Sequence, residues 1–166
     1  MGNGLVIADS GSIFSLALID KLEILYGLFD NIRIPQAVWN EITYDKTKQD
    51  YQKLYNFFKD KTCQISGLNE LTFVMDYGES ESLILYIELH ADFLLIDDKK
   101  ARRIAENLDI KCIGLIGLLS IAKDKGLIGK LKPIFETFLQ NKRFYSVDLL
   151  NAILMAKGEE IISYNA

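Results

Sequence analysis

Two aspartates stand side by side at positions 97 and 98, directly after the apolar run "FLLI" and directly before "KKARRIAENL". Neighbouring carboxylates at the end of a hydrophobic strand repel one another. One of them can cap the helix that follows. The other then needs a reason of its own, and a cation is the obvious one. Asp9 closes another apolar run, "GLVIAD". Glu41 lies in "PQAVWNEIT", and Glu79 and Glu81 lie in "GESESLILYIELH". Each of these acids has a structural role open to it, because carboxylates are favoured as N-caps and in the first turns of helices. As a set they are something else: oxygen donors with no imidazole or thiolate among them. Such donors suit Mg²⁺ or Mn²⁺, not zinc. An ion held this way can activate water and clamp a phosphate for in-line displacement. Phosphodiester hydrolysis is the chemistry the set could do.

Whether the acids can meet depends on the elements that carry them. "GLVIAD", "NIRIP", "CQIS", "DFLLID" and "IKCIG" read as short strands. The apolar runs are continuous, so these strands are buried on both faces, in a parallel sheet covered by helices. Between them fall segments with helical periodicity: "SIFSLALIDKLEILYGLF", as two helices meeting near Asp20 and Lys21; "PQAVWNEIT", with Pro35 in its first turn; residues 48–60; "ESESLILYIELH", preceded by Gly78; "DKKARRIAENL"; and "LIGLLSIAKDKG". Two more helices close the chain. The expected fold is α/β, three layers around a central parallel sheet of about five strands, as one domain over 1–166 with a core at about 5–128 and C-terminal helices at about 129–158. In open sheets of this type, sites form beyond the carboxyl ends of the strands. That rule selects Asp9, Asp97 and Asp98, with Ser10 and Ser12 in the turn after Asp9. Glu79 and Glu81 are expected in the first turn of their helix.

Composition narrows the classes. The 166 residues suit one domain with a sizeable core. No apolar run is long enough to span a bilayer, and the opening "MGNGLVIADSGS" has no basic stretch ahead of an apolar core, so neither a membrane span nor a secretory leader is expected. Cys63 and Cys112 match no metal spacing and are expected as reduced thiols of a cytoplasmic protein. The net charge of −4 argues against nucleic-acid binding through the overall field, but not against a local basic strip.

"VIADSGSIFSLALIDKLEIL", "IRIPQAVWNEI", "GESESLILYIEL" and "ADFLLIDDKKARRIAENLDIKCIGLIGLL" together resemble the PIN domain, and within it the prokaryotic nucleases related to VapC-type toxins. The resemblance runs from about residue 5 to 128 and more weakly through the last helices. It implies a Mg²⁺- or Mn²⁺-dependent endoribonuclease that cleaves single-stranded RNA to 5′-phosphate and 3′-hydroxyl ends, often as the toxin of a toxin–antitoxin pair. Carried over by position, the catalytic and metal-holding acids are Asp9, Glu41, Glu81 and Asp98, with Ser10, Glu79 and Asp97 as accessories. Two departures stand out: Ile96 replaces the Thr or Ser of many members, and "SGS" replaces a Thr-Ser-Pro type of turn.

"KKARR" adds Lys99, Lys100, Arg102 and Arg103 one residue beyond the acid pair. The strip could hold an RNA backbone, receive an acidic segment of an antitoxin, or be a solvated helix face. His90, the only histidine, ends a helix and reads as structural. Trp39 reads as core or interface. Tyr51, Tyr55, Phe57 and Phe58 read as a packing face or the surface of a homodimer. The competing functional class is a PIN-fold interaction module without nuclease activity. A receiver-like signalling domain fits less well, because no lysine ends the last strand, "IKCIG".

Overall fold

The computed structural model describes residues 4–143 and 145–163. Five short strands form one parallel sheet in the order β3-β2-β1-β4-β5: β1 (Leu5–Ala8), β2 (Asn31–Pro35), β3 (Thr62–Cys63), β4 (Phe93–Leu95) and β5 (Cys112–Ile113). Nine α-helices accompany them among the described residues: α1 (Ser10–Leu18), α2 (Ile24–Leu28), α3 (Gln36–Ile42), α4 (Tyr51–Phe58), α5 (Tyr77–Glu88), α6 (Lys99–Asn107), α7 (Leu115–Asp124), α8 (Lys132–Gln140) and α9 (Val147–Ala156). This is a three-layer α/β/α PIN-like fold.

The chain gathers into two compact units, one ending at Leu115 and the other starting at Ile116. The first holds the sheet. Val6, Ile7 and Ala8 are wholly buried, as a central parallel strand must be. Ile7 packs in a cluster with Leu83 and Leu85 of α5, Leu94 and Ile96 around β4, and Ala101 and Ala105 of α6. In the second unit, Glu159 accepts hydrogen bonds from the backbone of Leu131 (2.8 Å) and Lys132 (3.0 Å) and pairs with Lys123 at 2.7 Å. The carboxylate thereby satisfies amides at the start of α8 that its own helix cannot reach.

Several boundaries differ from the sequence reading: β3 is Thr62–Cys63 and not "CQIS", α4 is Tyr51–Phe58 and not 48–60, and one further difference matters for the site. Pro35 is the last residue of β2 and the N-cap position of α3, not a first-turn residue. Helix α5 starts at Tyr77, so Gly78 lies inside its first turn and Glu81 in its second. A short 3-10 turn at Glu70–Phe73, with no expectation from sequence, leads into it. Gly4, with φ 137°, is the glycine the sheet requires: a side chain there would strain the backbone and meet the Asp92 carboxylate, which accepts from Leu5 N at 2.7 Å to anchor the start of β1. Among the described residues no helix is long and apolar enough to cross a membrane.

Candidate functional site

The strand order reverses between β1 and β4. The chain moves outward from β1 through β2 to β3, then returns to β4 on the other side of β1. Helices therefore splay apart beyond the carboxyl ends of these two strands, where ligands bind in doubly wound sheets. Ala8 is paired with Leu95, and Asp9 N donates to Leu95 O at 3.0 Å. The register sets Asp9 beside Ile96, so Asp97 and Asp98 emerge one and two residues further along the neighbouring strand.

Each of these three aspartates commits an oxygen to a helix N-terminus. Asp9 is the N-cap of α1 and accepts from Gly11 N at 3.4 Å. Asp98 is the N-cap of α6 and accepts from Ala101 N at 2.8 Å. Asp97 reaches across to the next helix, where its Oδ1 accepts from Leu115 N at 2.8 Å. The acid pair thus has a capping role on both members. Those caps also fix the direction of the carboxylates, because a capping oxygen must face the axis of its helix.

What the caps build is an acidic crevice of about 210 Å³. Six carboxylates line it, those of Asp9, Glu41, Asp76, Glu79, Asp97 and Asp98, together with Ser10 and Gly11. Asp9 is buried, and that burial, reinforced by the charges of Glu41 and Asp97, pushes its pKa up to about 6 despite amide hydrogen bonds that pull the other way. Burial raises Glu79 to about 7, helped by Asp98, Asp9 and Asp76. Burial first, and the neighbouring negative charges second, hold both carboxyl groups well above the ordinary carboxylate range.

Glu41 is seated by a glycine. A Cβ added at Gly78 would lie 2.5 Å from Glu41 Oε1 and 2.9 Å from its Oε2. Only a residue without a side chain lets the first turn of α5 approach the α3 carboxylate this closely. Gly114 plays a lesser part of the same kind, since a Cβ there would lie 3.0 Å from Arg102 Nη1 and 3.3 Å from Asp97 Oδ1.

The acids expected from sequence are brought together with one exception. Asp9, Glu41 and Asp98, with Ser10, Glu79 and Asp97, line the crevice. Glu81 does not: its Oε2 accepts from Ala37 N at 2.9 Å, at the start of α3. The cause is helical phase. Residues two apart on a helix leave it on different sides, about 160° apart, and here Glu81 turns to the start of α3 while Glu79 lines the crevice. Asp76, the N-cap residue of α5, lines the crevice without having been singled out in the sequence. Its signal was available: an Asp three residues ahead of a Glu at a helix start is an N-cap pattern, although the Asp76 side chain makes no cap bond here. Ser12 is wholly buried away from the crevice lining and its hydroxyl lacks a hydrogen-bond partner among the described residues.

A PIN-domain family model matches residues 5–159. The chain belongs to the PIN-domain family. No curated protein matches it. PIN domains are generally nucleases, and they usually use divalent metals. The donor chemistry of this PIN domain suits that use, being oxygen throughout, with carboxyls whose raised pKa values a cation would relieve. Its geometry is looser: among the described residues, no three acidic, histidine or cysteine side chains stand close enough together to ligate one ion. Glu41 is exposed and carries no cap, so its side chain can turn on a nanosecond scale, whereas Asp98, although exposed, is held by its bond from Ala101 N.

The basic strip follows the crevice on α6. Lys99, Lys100 and Arg103 are exposed and make no ion pair among the described residues, whereas Arg102 is half-buried and paired with Glu106 at 3.0 Å. His90 lies past the C-terminal end of α5, about 18 Å along the helix from the crevice. Its φ of 50° and the Ala91 N to Tyr86 O bond mark it as a helix-stop residue. Trp39 packs on Tyr55 with ring centroids 5.3 Å apart, and Phe57 packs on Tyr26 at 4.9 Å, so the aromatic face of α4 is turned mainly into the chain itself. Cys63 and Cys112 are free thiols.

Proposed function

We propose that this PIN domain is a Mg²⁺- or Mn²⁺-dependent endoribonuclease of the VapC-like kind, cleaving single-stranded RNA in the cytoplasm, with an antitoxin protein as its regulator. The observation that carries the reading is the crevice of six carboxylates at the strand-order reversal, with Asp9 and Glu79 forced toward neutrality. Asp9, Glu41, Glu79 and Asp98 would hold the ion, Glu79 taking the place expected of Glu81. When bound, the ion acidifies water and draws charge from the phosphate oxygens. Asp9, tied to both β1 and the start of α1, would be the fixed ligand, with Glu41 and Asp98 as further carboxylate ligands from α3 and the start of α6. Asp76 and Asp97 add negative potential, and Ser10 offers a hydroxyl at the rim. Lys99, Lys100 and Arg103 would hold the RNA backbone beyond the crevice, with Arg102 braced by Glu106.

A labelled single-stranded RNA incubated with the protein and Mn²⁺ tests this. Cleavage that chelator stops, and that Asp98→Asn abolishes without unfolding the chain, is the expected result. The second reading, a PIN-fold module without nuclease activity, has one observation in its favour: Asp97 and Asp98 both cap helices while no three ligands are preassembled. On that reading, calorimetry with Mn²⁺ would show no binding. A homodimer formed through an exposed face is compatible with either reading, and sedimentation would reveal it.

A further inference from the structure

Beside the acidic crevice lies a second hollow of about 360 Å³, lined by Asn40, Glu41 and Tyr44. It is shallow and open to solvent, so it offers an occupant one face and not an enclosure. Glu41 borders both hollows, so the two are adjacent. Tyr44 follows the C-cap of α3 and is 87% exposed. Its ring packs on no other aromatic ring among the described residues, unlike Trp39 and Tyr55 nearby in the sequence. Asn40 Oδ1 accepts from Gln36, which leaves the Asn40 amide N–H groups without a partner among the described residues.

The chemistry of an occupant follows from these features. Among the described residues no cation lines the hollow, and Glu41 borders it, so an anion is disfavoured there. A flat, neutral group carrying both hydrogen-bond donors and acceptors is favoured: a face for the Tyr44 ring, an acceptor for Asn40, donors for the rim carboxylate. A ligand presenting such a group one link away from a phosphate is a nucleotide. Lys46, two residues along the same loop, is exposed and makes no ion pair among the described residues. An aromatic platform followed by a basic side chain is the pattern by which single strands are held.

We propose that the Asn40–Tyr44 hollow is a base-binding subsite, in which an unpaired nucleobase adjacent to the scissile phosphate stacks on Tyr44. The subsite rests on the nuclease reading of the crevice. Such a subsite would favour single strands, because a base in a duplex has no free face to offer.

The test measures binding of a labelled 12-nucleotide single-stranded RNA by fluorescence anisotropy, using Asp98→Asn to prevent cleavage. Oligonucleotides with one abasic residue scan every position. Tyr44→Ala should weaken binding by roughly 5- to 150-fold, and Tyr44→Phe should stay near the parent. One abasic position should weaken the parent by a similar factor and cause no further loss with Tyr44→Ala. On the cleavage-competent chain, Tyr44→Ala should raise KM and leave kcat. Unchanged affinity with Tyr44→Ala, while the parent cleaves RNA with Mn²⁺, overturns the subsite and leaves the nuclease reading standing. A parent that neither binds nor cleaves RNA overturns both. Loss of self-association in sedimentation with RNA affinity intact would make the hollow a protein-docking face and overturn the proposal. Tyr44 is exposed, so the variant should melt with the parent, and a large fall in Tm would itself contradict the described surroundings.

Discussion

Replacing Gly78 by Ala perturbs the site without changing a charge. The new Cβ would overlap the Glu41 carboxylate, at 2.5 Å from Oε1 where ordinary contact begins near 3.4 Å. Backbone cannot yield cheaply inside α5, but the far end of an exposed glutamate can. The carboxylate should therefore rotate out of its seat. Stability should hold or rise by up to about 1 kcal/mol, because Ala is the better helix former. Metal affinity should fall, and groups that orient ligands typically contribute 10–100-fold. Mn²⁺ calorimetry and thermal melting on the same samples read both effects. Glu41→Asp in the Gly78→Ala background, one methylene shorter, should recover part of the affinity. A Gly78→Ala variant that binds Mn²⁺ as tightly as the parent would refute the reasoning, since Glu41 would then contribute nothing from the place it occupies.

Asp9 has its pKa raised to about 6 from an ordinary 3.8, so as pH rises between about 4 and 6 the unfolded chain releases this proton first and metal-free stability falls. The loss amounts to about 3 kcal/mol. Asp9→Asn, which can still cap α1, should flatten that slope in denaturant titrations at successive pH values, and an unchanged slope would count against the burial of a lone charge. Glu79 near pKa 7 makes proton and ion competitors, so Mn²⁺ affinity should climb between about pH 6 and 8, and a pH-independent affinity would mean that Glu79 is no ligand. Lys99→Ala with Arg103→Ala should weaken RNA binding and reduce its salt slope by about 0.7 per lost phosphate contact, with turnover at saturation preserved; a matching fall in kcat would place these residues in the chemistry instead.

The framework of the site was legible because it is local. Apolar runs without alternation announced buried parallel strands, and acids at their ends had to face the ligand side of the sheet. Asp9, Asp97 and Asp98 followed from that rule alone. The choice between Glu79 and Glu81 turned on which side of α5 packs against α3, which the sequence of α5 alone does not state. The two acids leave the helix on different sides, and packing puts Glu79 in the crevice lining and Glu81 against Ala37 N. Contacts between elements left no local trace. Nothing near Asp97 signals that it accepts from Leu115 N, 18 residues on. Nothing near Gly78 signals that its missing side chain makes room for a carboxylate on α3. The strip "KKARR" looked uniform, but Arg102 pairs with Glu106 four residues on in the same helix, a division that the i,i+4 spacing carried and that the reading of the sequence passed over.

The central claim is that the carboxylates converging beyond β1 and β4, with Glu79 and not Glu81 among them, form a metal-dependent centre that cuts RNA. Mn²⁺-dependent cleavage of one labelled single-stranded RNA by the parent, Glu79→Gln and Glu81→Gln tests it most directly, with all three confirmed folded by melting. The expected result is robust cleavage by the parent, near-complete loss with Glu79→Gln, and retained cleavage with Glu81→Gln, whose amide oxygen can still accept from Ala37 N. No cleavage by the parent at any Mn²⁺ concentration, or loss with Glu81→Gln while Glu79→Gln stays active, would contradict it.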